Sequence, residues 1–204
     1  MNRQVLAIAF ALSSLAALNA GVAFAQAQGA RIRATVQSFD GKSLVVKTAV
    51  GKEIRLVVNE KTGVSYPKLV KLTDIKEGDF VGSAAMPGPD GKLIAREVHL
   101  FPESQRGTGE GHREWDEPGS TMTNAAVSKT AKGARGQELT LNYKGGTQTI
   151  VVPEGTPVVT NVQGDTTLLV PGSYVIVTAT TGPDGAVTAQ RIQATSKDGV
   201  KPPM

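Results

Sequence analysis

The chain has 204 residues, with 22 lysines and arginines against 18 acidic residues. These charges are interspersed, which argues against the concentrated basic stripe of a nucleic-acid binder. With no cysteine, disulfides, thiol chemistry and a lipoprotein anchor are excluded, and stability has to come mainly from hydrophobic burial.

The first predicted element is a secretory signal over residues 1–25. Arg3 supplies positive charge, an apolar run from Val5 to Leu18 is broken only by Ser13 and Ser14, and Ala23-Phe24-Ala25 places small side chains where a signal peptidase needs them. No later stretch approaches the roughly 20 apolar residues of a transmembrane helix. The expectation is export to the periplasm, cleavage before Gln26, and no stable membrane insertion afterwards.

The mature chain is organised by an internal repeat. Gly78-Asp79-Phe80-Val81 matches Gly172-Ser173-Tyr174-Val175, and Gly88-Pro89-Asp90-Gly91 recurs as Gly182-Pro183-Asp184-Gly185. The same shift of 94 relates Ala95 to Ala189 and Val98 to Ile192. Gly41, Leu44 and Val46 match Gly136, Leu139 and Leu141 with a shift of 95.

Within each copy, apolar residues alternate, as at Leu44, Val46, Ile54, Leu56 and Val58, which is the period of half-buried strands. Turns are written in glycine and aspartate, as at Asp40-Gly41 and Asp184-Gly185. The spacing predicts strands near 31–38, 43–50, 53–59, 79–86 and 92–100, and again near 123–130, 137–144, 147–152, 173–180 and 186–194. A helix or loop is expected after each third strand, over 68–76 and 163–170. The fold class expected is all-β: two tandem small OB-like five-stranded antiparallel barrels, over 26–101 and 123–194, joined by a Gly-rich and charged linker over 102–122 and followed by a mobile tail over 195–204.

The Gly-x-aromatic-Val segment, the Gly-Pro-Asp-Gly turn and the Ala-x-x-Ile/Val strand resemble an exported bacterial family of OB-like β-barrel repeats of unknown function. That resemblance implies a barrel fold and an envelope location, and brings no catalytic residues. The Gly-x-Gly-x-Gly-His linker and the Pro-Pro-Met ending also resemble sequences labelled as metal ABC transporter permeases, although a permease would need several membrane spans.

Candidate chemistry is sparse. There are two histidines and no Gly-x-Ser-x-Gly elbow, so a hydrolytic triad is not expected. His99 is expected to face water, because its neighbour Val98 points inward. The linker offers one cluster. Glu110, His112, Glu114 and Asp116 alternate, so an extended backbone would place them on one side as ligands for a divalent transition metal. The competing reading is a solvated linker docked by Trp115.

The expected function is a non-enzymatic periplasmic binding protein whose partner is another envelope protein or a small ligand, with no nucleic acid bound. The alternatives are a metal-binding or metal-transport accessory protein using the linker, or a carbohydrate-processing enzyme with a pair of carboxylates in a pocket.

Overall fold

A computed structural model describes residues 29–88 and 90–202; the predicted signal over 1–25 lies outside them. Every long element is a strand. The first copy contains β1 (Ala30–Phe39), β2 (Ser43–Thr48), β3 (Glu53–Val57), β4 (Gly63–Leu69), β5 (Phe80–Pro87) and β6 (Leu93–Leu100). The linker carries β7 (Gly111–Glu114). The second copy contains β8 (Thr121–Gly133), β9 (Gly136–Tyr143), β10 (Gly146–Val152), β11 (Val158–Gln163), β12 (Tyr174–Thr181) and β13 (Val187–Ala194). Short 3-10 turns at Leu72–Asp74 and Thr166–Leu168 occupy the two segments expected to be helix or loop. No described helix is long and apolar enough to cross a membrane.

The thirteen strands form one mixed sheet, which corrects the expectation of two separate five-stranded antiparallel sheets, one per copy. In one closed set of pairings β1 joins β2, β2 joins β3, β3 runs parallel to β13, and β13 returns through β12 to β1. In the other, β8, β9, β10, β6 and β5 repeat that order, again with one parallel step, between β10 and β6. Each ring therefore takes its last two strands from the other copy.

The cores follow the rings. One cluster joins Val36, Leu44, Val46 and Leu56 of the first copy to Val175, Val177 and Ile192 of the second. The other joins Leu139, Leu141, Ile150 and Val152 of the second copy to Val81 and Val98 of the first. Each fully buried aliphatic side chain contributes about 1.5–3 kcal/mol relative to exposure, so neither core is complete without strands from both copies.

The missed strands β4 and β11 join the halves. They pair antiparallel, with Pro67 opposite Asn161, positions related by the repeat shift of 94. An approximate two-fold axis therefore passes between these two residues. Thr195, directly after β13, donates through both its amide and its hydroxyl to the Tyr174 carbonyl, at 3.0 Å each.

Candidate functional site

A β-bulge sets the orientation of the central residues. In β5–β6 the register shifts so that Ala85 faces Ala95 while Ala84 faces Glu97, leaving Arg96 as the extra residue. Ala95 and Val98 can then both enter the core although three residues apart, and Glu97 and His99 are turned to the opposite face. The second copy repeats this device: Ala179 faces Ala189, Thr178 faces Arg191, and Gln190 is extra. Ala-x-x-Val and Ala-x-x-Ile are the sequence marks of this bulge.

The opposite face lines a cavity of about 440 Å³ over the β4–β11 junction. Glu97 and His99 of β6, Arg191 and Gln193 of β13, Asn161 of β11, Asn124 of β8 and Arg31 of β1 border it, with Arg113 and Trp115 from the linker. Core residues are alike in the two copies, as with Val81 and Val175 or Ala95 and Ala189. The cavity positions differ: Glu97 corresponds to Arg191, His99 to Gln193 and Gly82 to Ile176. The repeat has kept its interior and diversified the surface of this cavity.

His99 is not on a water-exposed strand face. Its ring stacks on Phe101, with centroids 4.5 Å apart and planes 6° from parallel, and Phe101 meets Phe80 at 5.4 Å. Burial pushes the His99 pKa down to about 4, favouring the neutral imidazole. The expectation failed because the face opposite Val98 is covered by the linker and the other half of the molecule.

Gly82 is required by close approach: a Cβ there would lie 2.7 Å from Asn124 Oδ1 and 3.0 Å from Phe101. Asn124 in turn donates through Nδ2 to the Thr108 carbonyl at 3.0 Å, tying the linker to β8. The guanidiniums of Arg31 and Arg113 lie 5.3 and 5.4 Å from the centroid of Trp115, within range of a cation–π attraction. Arg31 is exposed as a whole residue, yet its pKa is drawn below the ordinary arginine value, first by lost hydration and next by the Arg33 charge.

Four buried polar atoms of lining residues have no hydrogen-bond partner: His99 Nε2, Trp115 Nε1, Asn124 Oδ1 and Asn161 Oδ1. Each such group costs about 1–3 kcal/mol if left unsatisfied.

The four linker residues considered as metal ligands are engaged separately. Glu110 accepts from the Lys144 amide at 2.9 Å. His112 Nδ1 is 2.8 Å from Thr123 Oγ1, and its ring lies 6.4 Å from that of Tyr143. Asp116 forms an ion pair with Arg33. Glu114 is exposed at the end of β7, opposite Thr121. Pairing of β7 with β8 places His112 and Glu114 in the strand and leaves Glu110 and Asp116 beyond its ends. Among the described residues no group of three or more His, Asp or Glu side chains is arranged to hold a metal.

Sequence reasoning passed over Arg31, Glu97, Asn124, Asn161, Arg191 and Gln193. The available signal was the repeat itself, in which polar mismatches such as Glu97 against Arg191 stand among matched apolar positions. Comparison with protein-family models, with curated proteins and with solved structures finds no match.

Proposed function

We propose that this chain is a non-enzymatic binding protein of the bacterial envelope that holds a small polar ligand in the cavity between its halves. In this reading each closed ring is an OB-like barrel of five strands, its last two strands exchanged with the other copy. Export rests on Arg3, the apolar run and Ala23-Phe24-Ala25.

The observation that carries the reading is the convergence of Arg31, Glu97, Asn124, Asn161, Arg191 and Gln193, from strands of both copies, on one cavity. Binding is favoured over hydrolysis because Glu97 is the only carboxylate among the described lining residues, whereas glycoside hydrolysis needs two. A small ligand is favoured over a protein partner because the polar groups converge in a concavity of small-molecule size.

The test is ligand-induced thermal stabilisation of the purified protein across a panel of sugars, amino acids and organic acids, since binding to the native state raises its apparent stability. Stabilisation lost on Gln163→Trp, which narrows the cavity from its exposed rim, supports the site. Equal stabilisation of wild type and Gln163→Trp, or no response to any compound, overturns it.

A further inference from the structure

We infer that the ligand is a small hydroxylated carboxylate, a sugar acid, held through its carboxylate by arginines and through its hydroxyls by side-chain amides. This rests on the cavity being the binding site and adds the chemical class of what enters it.

Charge gives the first half of the argument. Arg31, Arg113 and Arg191 line the cavity, with Glu97 the one carboxylate among its described lining residues, an excess of positive charge. The partial loss of hydration at Arg31 raises the benefit of an incoming anion, because a guanidinium offers a planar fork of donors that matches a carboxylate.

The amides give the second half. Asn124, Asn161, Gln163 and Gln193 border the same space, and each presents both a donor and an acceptor. A hydroxyl also both donates and accepts, so vicinal hydroxyls match such an array, while a simple carboxylate would leave the amide donors and acceptors only partly used. A volume of about 440 Å³ lies in the range of small-molecule pockets.

The experiment is calorimetric titration of the purified full-length protein with glucuronate, gluconate, glucose and acetate, alongside the broader panel. A sugar acid should bind saturably, at least about tenfold tighter than glucose, with affinity falling as salt is added. Acetate should not saturate. Arg191→Gln should remove the preference for glucuronate over glucose while leaving the melting temperature of the free protein nearly unchanged. Equal binding of glucose and glucuronate, or loss of neither in Arg191→Gln, overturns the sugar-acid inference and leaves the cavity reading intact. Stabilisation only by other members of the panel does the same. Failure of every compound overturns both.

Discussion

The amide of Gly172 donates to the carbonyl of Val36 at 2.9 Å, while the amide of Val36 donates to Ser173 at the same distance. One repeat away, Gly78 donates to the carbonyl of Val127 at 2.8 Å, and Val127 to Asp79. Each clasp holds the first strand of one copy to the turn that launches the fifth strand of the other. Both glycines sit third in a four-residue turn closed by a bond from Asp79 to Lys76 or from Ser173 to Val170, with φ of +92° at Gly78 and +90° at Gly172.

Replacing either glycine by alanine should therefore destabilise the fold by about 1–3 kcal/mol through backbone strain alone, because an added Cβ at either position meets nothing within 4 Å. Urea denaturation should display a lower midpoint with an unchanged slope. A loss below about 0.3 kcal/mol in both variants would contradict the assigned turn geometry.

The exchange of strands makes a prediction about cutting the chain. A specific protease site placed between Arg106 and Gly107, in an exposed stretch of the linker, should yield two fragments that remain together on size exclusion under native conditions and separate only in denaturant. Each fragment supplies two strands to the other's core. Fragments that part without denaturant would mean that the cores are built within single copies.

His99 should make stability depend on pH. Its pKa is about 4 when folded against an ordinary 6.5, so above pH 6.5 the imidazole is neutral in both states. Between 6.5 and about 4 the unfolded chain takes up a proton that the folded chain refuses, and stability falls as pH falls, by about 3 kcal/mol at most. Below about 4 the contribution is flat. His99→Gln, carrying the residue found at the matching position 193, should lose this slope. The measurement is the difference between the two proteins in urea stability from pH 7.5 to 4, which cancels the carboxylates they share. Parallel curves would refute the burial of His99.

Asn124→Ala should separate stability from binding. It removes the bond to Thr108, worth about 1 kcal/mol, but also removes the unpartnered Oδ1, so the net change should stay within about 1 kcal/mol. Amide exchange in the linker around residue 108 should accelerate, and ligand-induced stabilisation should be lost. Unaltered exchange there would show that Asn124 does not anchor the linker.

Strand positions were readable from alternation. Leu44, Val46, Leu56, Leu139 and Leu141 are all fully buried, and the ten expected segments coincide with strands, because period-two burial is a local property of sequence. β4 was missed because Gly63 and Pro67 read as strand breakers; Pro67 is accommodated opposite Asn161 at the two-fold junction. β7 was missed because its four residues form a strand only by pairing with β8. The linker ligands failed as a cluster for a related reason. Alternation can place side chains on one side of a chain, but the partners Lys144, Thr123 and Arg33 that engage three of them come from distant segments.

The repeat shift of 94, the strand period and the glycine turns were fixed by the amino-acid sequence itself, since each depends on neighbours a few residues apart or on direct comparison of the two copies. Which copy completes which core was decided only in three dimensions. Val81 and Val175 carry the same side chain at matching positions, so an exchanged core and an unexchanged one bury equivalent surface, and local pattern cannot distinguish them. The cavity has the same origin. Arg31, Asn124, Asn161 and Arg191 lie on four strands and converge there because β4 meets β11 and two bulges turn the last strand of each copy toward that junction.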